Sequence, residues 1–198
     1  ITFMLTRRLI RVKVFKELFG KVASGADSLM QAEKELIASC NKTVELYCLL
    51  LQLPQALRKV AQAKIEAGLS KFHPTEEEAN PNRKFVENKF IDILEGDDAF
   101  NAMCRKKGLT WGDYDSFVRK VYASVAASDY YKEYMEDPER SLAGDVALVK
   151  RIYEEELEDN EILEDILEEM SLYWMDDLAY TINVVLKNIP SIAKKGAV

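Results

Sequence analysis

The spacing of apolar residues along the chain predicts α-helices almost throughout. In residues 5–19 the apolar positions recur every three or four residues, which places them on two stripes of one helix. One stripe comprises Leu5, Leu9, Val12, Phe15 and Phe19, and the other comprises Ile10, Val14 and Leu18. Two apolar stripes leave little polar surface, so the pattern predicts that this first helix is largely buried.

The same period continues along the rest of the chain, with signals that begin or end helices. Ser28 and Gln31 have the spacing of a capping box, and Pro54 is expected to end that helix or to begin the next. Further helices are predicted over residues 56–69, 85–94, 99–107, 116–135, 142–157 and 160–189. No segment alternates polar and apolar residues as a strand would. The sequence therefore predicts an all-α fold, a helical bundle of seven to nine helices.

Residues 71–83 form the clearest linker, because they contain Pro74, Pro81 and two asparagines. Within it, Thr75 and Glu78 have the spacing of a single capped turn. The chain accordingly divides into a basic N-terminal helical part (1–72), an inserted helical region (73–140) and an acidic C-terminal helical part (141–198). We expect these three parts to pack as one compact unit.

Charge is distributed unevenly, although the whole chain has a formal net charge of −7. Residues 1–72 hold 12 Lys and Arg against 6 Asp and Glu, whereas residues 129–198 hold 7 against 18. A phosphate backbone responds to a local basic patch, and salt screens acidic residues that lie more than about 8–10 Å away. The negative net charge of the whole chain therefore does not exclude nucleic acid as a partner.

The sequence leads us to expect neither a membrane span nor a secretory signal. Its longest unbroken apolar run, Leu46 to Leu51, is far shorter than the roughly 20 residues that a span needs. Cys40, Cys48 and Cys104 are odd in number and have no C-x-x-C spacing, which fits reduced thiols. These observations predict a cytoplasmic protein that does not act at a membrane.

Few residues could support catalysis, a metal or a cofactor. The single histidine, His73, is expected at the surface, so a hydroxyl or thiol nucleophile lacks its usual base. No glycine-rich phosphate-binding motif occurs, and the acidic run 154–161 has no histidine to complete a metal site. We therefore expect no enzymatic activity, no metal and no cofactor. The acidic run is interpreted as a solvated face or as a docking surface for a basic partner.

The strongest positive signal is a group of arginines in the first helix. At about 100° per residue, Arg8 lies about 100° and Arg11 about 40° around the helix from Arg7. Two interpretations remain open: the three bind nucleic-acid phosphates, or they pair with acidic residues of another helix. Guanidiniums form bidentate bonds to phosphate and stack on unpaired bases, so a nucleic-acid partner would be RNA or a single strand.

The same residues resemble the opening helix of a known family. The segment RRLIRVKVFKELF is similar to the first helix of the bacterial transcription antitermination factor NusB, whose pattern is R-R-x-x-R-x-x-A-hydrophobic-x-A-L-[FY]. The residues that match in register are Arg7, Arg8, Arg11, Leu18 and Phe19. Val14 and Glu17 stand where the family has alanine. Residues 148–186 also resemble the middle of family members in the order of their acidic, aromatic and hydrophobic segments.

The resemblance extends over only part of the family's length. The closing Ile-Asn-Glu and Phe-Val-Asn-Gly segments of the family have no counterpart here. Residues 28–140, by contrast, are longer than the same region of compact members. The chain is therefore expected to be a long variant without the family's C-terminal helices, either as a fragment or as a divergent member.

The resemblance implies an all-helical NusB-like fold, no catalysis, and RNA binding through Arg7, Arg8 and Arg11. It implies that the protein binds boxA-like nascent RNA together with a small-subunit ribosomal protein, NusE. A homodimer is an arrangement that the sequence leaves open. The alternative hypothesis is a helical protein–protein adaptor that uses its acidic C-terminal surface and binds no RNA. Arginines that are exposed together favour RNA, and arginines that are each paired with an acid favour the adaptor.

Overall fold

A computed structural model describes residues 5–24 and 29–198, and every regular element in these ranges is helical. The α-helices are α1 (Arg7–Ser24), α2 (Leu29–Leu69), α3 (Glu76–Ala79), α4 (Lys89–Gly96), α5 (Asp98–Lys106), α6 (Asp115–Ala127), α7 (Asp129–Glu136), α8 (Leu142–Glu156), α9 (Glu161–Met170) and α10 (Leu178–Lys195). Short 3-10 helices, Gly112–Tyr114 and Met175–Asp177, precede α6 and α10. The all-α prediction is confirmed, and the described ranges hold ten α-helices where seven to nine were expected.

The higher number arises because two predicted helices are each divided. Residues 116–135 form α6 and α7, since Ser128 between them accepts a hydrogen bond from the backbone N–H of Tyr131 and caps a new helix. Residues 160–189 form α9 and α10, with a 3-10 turn after Trp174. The indole N–H of Trp174 donates to the backbone oxygen of Lys42 in α2 at 2.8 Å. The break between α9 and α10 thus lies where Trp174 contacts α2, and this tertiary contact overrides the local helical pattern.

α2 runs unbroken for 41 residues, through the proline that was expected to interrupt it. Pro54 has no N–H to offer the carbonyl of Leu50, four residues earlier. The hydroxyl of Tyr153 donates to that carbonyl at 2.7 Å, and the indole N–H of Trp111 donates to the neighbouring carbonyl of Leu49 at 2.8 Å. The predicted break at Pro54 was wrong because the groups that compensate for the proline are distant in sequence.

Other local signals have the predicted geometry. Thr75 and Glu78 form a complete capping box at the start of α3. α5 ends at Lys106, and Gly108 follows with a φ of 65°, the left-handed conformation that glycine adopts without strain. The predicted capping box of Ser28 and Gln31 includes Ser28, which lies outside the described residues.

The buried core draws side chains from all three parts of the chain. One cluster of buried residues extends from Leu46 in α2 to Ile192 in α10. Its fully buried members include Leu50, Leu53, Leu57, Phe90, Ile91, Leu94, Ile152, Val185 and Ile189. α2 lies at the centre of this cluster, because it packs against α1, α4, α5, α6 and α10.

α1 contradicts its predicted burial. Among its described side chains only Leu9 and Lys13 are buried, whereas Phe15 and Phe19 are 68% and 65% exposed. One of the two inward positions is therefore taken by a lysine, and α1 packs against α2 without burying both apolar stripes. Its outer side, including most of the predicted core residues, faces solvent.

Candidate nucleic-acid interface

The start of α1 is held by a cap and by a contact with α10. Thr6 Oγ1 accepts a hydrogen bond from the backbone N–H of Leu9 at 3.2 Å, as an N-cap side chain does. The hydroxyl of Tyr180 lies 3.3 Å from both the backbone nitrogen and the hydroxyl of Thr6. Arg7 and Arg8 are therefore the first two residues of the helix, and its first turn contains no acidic residue.

Arg7, Arg8 and Arg11, here called the arginine patch, are all exposed on one side of α1. At about 100° per residue the three lie within an arc of about 100°. None of them forms a side-chain hydrogen bond or an ion pair with any residue in 5–24 or 29–198. Their guanidinium donors face solvent.

The patch also occupies the end of the helix where positive charge is least favourable. The N-terminus of an α-helix carries about half a positive charge from its aligned peptide dipoles. An anion there stabilises a helix by about 0.3–1 kcal/mol, so cations in the same turn act in the opposite direction. The field of Arg7, Arg8 and the helix end is therefore uniformly positive.

Two of the lysines in α1 are paired with acidic residues of other elements. Lys16 Nζ lies 2.6 Å from Asp176 Oδ2 in the 3-10 turn before α10. Lys21 Nζ lies 3.0 Å from Glu35 Oε2 in α2. Hydrogen bonds from Gln31 and then from Lys21 lower the pKa of Glu35. These pairs lie on the side of α1 that faces the rest of the molecule.

Lys13, Ser39, Thr43 and Asp177 form a buried polar cluster that holds α1 in place. Lys13 Nζ donates to Asp177 Oδ2 at 2.6 Å and to Ser39 Oγ at 2.8 Å. Thr43 Oγ1 donates to the same Asp177 oxygen at 2.6 Å. All four residues are buried. Sequence analysis missed this cluster, because its members are separated by up to 164 positions.

Both interpretations concerned Arg7, Arg8 and Arg11, but the internal ion pairs of α1 are formed by its lysines. Internal ion pairing accounts for Lys13, Lys16 and Lys21. It does not account for the arginine patch, which has no acidic partner in the described ranges. Exposure of the arginines together is the condition that favours nucleic acid over the adaptor.

The arginine patch continues into aromatic side chains that the sequence pattern assigned to the core. Steps of four residues lead from Arg7 to Arg11, Phe15 and Phe19, which form one row along the helix surface. The rings of Phe15 and Phe19 are stacked, with centroids 6.1 Å apart and planes inclined by 22°. Apolar residues at helical spacing ordinarily predict burial, so these two were missed. The signal that identifies them is that their row begins with two arginines, which must face water.

Other candidate residues do not form a site. His73 is exposed, as predicted, and its ring meets the ring of Phe72 edge-on at 4.6 Å. Burial raises the pKa of the Cys40 thiol, and hydrogen bonding with Cys104 together with burial raises that of Cys48. Neither thiol is activated as a nucleophile. Across residues 5–24 and 29–198, no three His, Cys, Asp or Glu residues are grouped so that they could hold a metal ion.

The acidic run 154–161 lies at the junction of α8 and α9, largely in solvent. Glu156 Oε1 accepts a hydrogen bond from the hydroxyl of Tyr130 at 2.8 Å. Arg151 Nε lies 3.1 Å from Glu155 Oε1 within the same helix. The remaining carboxylates are solvated and have no cation beside them in the described ranges.

No protein family, curated protein or solved structure matches the chain. In the part of the chain that the structure describes, none of the helices has the length and apolarity to cross a bilayer. What the protein does must therefore be inferred from its own residues, and the arginine patch is the strongest feature among them.

Proposed function

We propose that this protein binds single-stranded, boxA-like RNA through Arg7, Arg8 and Arg11, as a subunit of a cytoplasmic transcription antitermination complex. The observation that carries the proposal is the exposure, on one side of α1, of three guanidiniums that have no acidic partner among residues 5–24 and 29–198. The same positions match the NusB-like pattern of the first helix. By that resemblance, the protein partner is a small-subunit ribosomal protein, NusE.

The electrostatics of the helix end support a phosphate ligand. Backbone N–H groups at a helix N-terminus and the helix dipole both favour an anion. A guanidinium adds a planar pair of donors that matches two oxygens of one phosphate. A bound phosphate would offset both the mutual repulsion of Arg7, Arg8 and Arg11 and their unfavourable position in the dipole.

The proposed role is binding without catalysis. The side chains nearest the patch on α1 are guanidiniums, phenyl rings and aliphatic groups, and none of these serves as a general base or as a nucleophile at neutral pH. The protein would act by holding the RNA and a partner together.

The adaptor remains a second candidate because of the acidic surface at the α8–α9 junction. Glu154, Glu158 and Glu161 are exposed there. A solvated negative surface is suited to a basic protein partner. This surface and the arginine patch consist of different residues, so the two functions are separable by mutation.

The test is a fluorescence anisotropy titration of the full chain with a short boxA-like single-stranded RNA at several salt concentrations. If each arginine neutralises about one phosphate, the patch contributes roughly −2 to the slope of log K against log salt, at about −0.7 per contact. The variant Arg7→Ala/Arg8→Ala/Arg11→Ala should lose affinity and flatten the slope by that amount.

A matched control removes the same number of positive charges elsewhere. Arg105, Lys106 and Lys120 are exposed on α5 and α6, and their replacement by alanine gives the same net charge as the patch variant. The control should bind RNA nearly as the unmodified chain does, at equal circular dichroism. Equal affinity and equal slope for the patch variant and the unmodified chain would reject the proposal in favour of the adaptor.

A further inference from the structure

The exposed row of α1 combines charge and aromatic surface in a single line. Arg7 and Arg11 occupy its first half, and Phe15 and Phe19 its second half. One helical turn separates neighbours in the row, so the four side chains extend along about 18 Å of the helix, at about 1.5 Å per residue. Phe15 and Phe19 are the only phenylalanines of α1, and both are more than half exposed.

Exposure of two neighbouring phenyl rings is costly in water, at roughly 25 cal/mol for each Å² that a ligand could cover. The two rings stand nearly parallel, with their planes inclined by 22°, and follow Arg7 and Arg11 along the same row of the helix. A ligand that contacts all four side chains must therefore offer negative charge to the arginines and a flat apolar surface to the phenylalanines.

Single-stranded RNA offers both groups at once. Its phosphates suit the arginines, and its unpaired bases stack on aromatic rings, which a duplex would not permit. A protein helix with acidic and aliphatic residues is the competing occupant, since Leu18 and Val22 are also exposed on α1. By periodicity Leu18 and Val22 lie on the same side of α1, at about 20° and about 60° from Arg7. The groups that favour RNA over a protein helix are the three arginines and the two aromatic rings, because guanidiniums suit phosphates and rings stack on bases.

We infer that Phe15 and Phe19 are stacking platforms for unpaired bases of the strand whose phosphates the arginine patch binds. This inference rests on the proposed function and assigns the ligand to a strand with free bases, rather than to any polyanion. Affinity then has two separable parts. The phosphate part depends on salt and belongs to the arginines, whereas the stacking part depends on the bases and belongs to the phenylalanines.

The experiment compares two ligands and five proteins in anisotropy titrations at several salt concentrations. The ligands are a boxA-like single-stranded RNA and a strand of the same length with the same phosphates but without bases. The proteins are the unmodified chain, Phe15→Leu/Phe19→Leu, Phe15→Tyr/Phe19→Tyr, the arginine variant Arg7→Ala/Arg8→Ala/Arg11→Ala and the control Phe72→Leu. Phe72 is also exposed, at 92%, but it follows the C-terminal end of α2 and lies beside His73.

We expect the Phe15→Leu/Phe19→Leu variant to bind the RNA at least about fivefold more weakly, since loss of stacking costs about 1–3 kcal/mol per base. Its salt slope should equal that of the unmodified chain, because the phosphate contacts remain. Both proteins should bind the baseless strand equally. Phe72→Leu should bind as the unmodified chain does, and Phe15→Tyr/Phe19→Tyr should retain affinity because the rings remain.

Three results would overturn the inference, and they are distinguishable from one another. If the leucine variant keeps full RNA affinity while the arginine variant loses it, stacking is wrong and the proposed function stands. If neither variant loses affinity, the proposed function fails as well. If the leucine variant keeps its RNA affinity but loses self-association in sedimentation velocity, the row is a contact between copies of this chain.

Discussion

The hydroxyl of Tyr153 compensates for the proline inside the longest helix. It donates to the carbonyl of Leu50, the group that Pro54 leaves without its usual partner. The tyrosine side chain is fully buried, and burial raises its pKa, so the hydroxyl keeps the proton that it donates. A backbone interruption that would ordinarily cost about 3 kcal/mol is thereby accommodated in the centre of the core.

Replacement of Tyr153 by phenylalanine should destabilise the protein by about 1–3 kcal/mol, because it leaves a buried carbonyl without a donor. Urea denaturation measures this free energy of unfolding. In a Pro54→Ala background the loss should be smaller, since the restored N–H of residue 54 can bond Leu50. Tyr173→Phe is the control, because that exposed hydroxyl has no hydrogen bond in the described ranges. Equal losses in both backgrounds would contradict the explanation.

At the scale of the element, α1 is attached by polar contacts where its apolar pattern predicts a hydrophobic interface. The buried polar cluster of Lys13, Ser39, Thr43 and Asp177 lies on its inner side. A buried lysine that bonds two oxygens fixes the rotation of the helix about its axis. That rotation turns the arginine patch and the two phenylalanines outward.

Loss of Lys13 should therefore release α1 from the rest of the molecule. Lys13→Met leaves Asp177 as a buried charge without its cation, which typically costs about 3–5 kcal/mol. Hydrogen exchange of the α1 amides, together with urea denaturation, measures the effect. Lys16→Met removes the largely exposed ion pair with Asp176, and should lower the free energy of unfolding by at most about 1 kcal/mol. Equal protection of α1 in the two variants would show that the cluster does not hold the helix.

A charge reversal in the first turn of α1 should separate stability from binding. Arg8→Glu places a negative charge at the positive end of the helix, which should raise stability by about 0.3–1 kcal/mol. The same change should weaken RNA binding, since it replaces a phosphate donor by a repelling group. Thermal denaturation and anisotropy are then expected to change in opposite directions. A fall in both quantities would indicate that Arg8 has a structural role.

At the scale of the whole molecule, the core joins the three parts of the chain. The inserted region contributes Leu94 and the acidic part contributes Ile189, and both are fully buried in the same cluster as the leucines of α2. Elements that share one core are expected to unfold together. The basic and acidic parts of the chain therefore belong to one packed unit, and the arginine patch lies on its surface, on α1.

Leu94→Ala and Ile189→Ala should each lower the free energy of unfolding by about 2–5 kcal/mol, the usual cost of a cavity at a buried aliphatic site. Calorimetry should show one transition that moves to lower temperature in both variants. Ile162→Ala is the control, since Ile162 is 47% exposed and should cost much less. Two transitions, of which each variant moves only one, would show that the parts unfold independently.

Much of the helical architecture could be predicted from local signals. The capping box of Thr75 and Glu78, the glycine after α5 and the absence of strands in the described ranges follow from residues close together in the chain. The continuity of α2 could not be predicted, because it depends on Tyr153, about a hundred residues beyond Pro54. The candidate site was predicted only in part: its arginines follow from periodicity, but its phenylalanines had the pattern of a core.

By itself, the sequence determined the helical class and placed Arg7, Arg8 and Arg11 on one side of one helix, because period and local charge are properties of neighbouring residues. Only the tertiary structure decided which cations of that helix remain free. The lysines meet acidic groups brought from α2 and from the turn before α10, and the arginines meet none in the described ranges. The orientation of α1 depends on the buried bond between Lys13 and Asp177, and no local pattern can specify a contact across 164 positions.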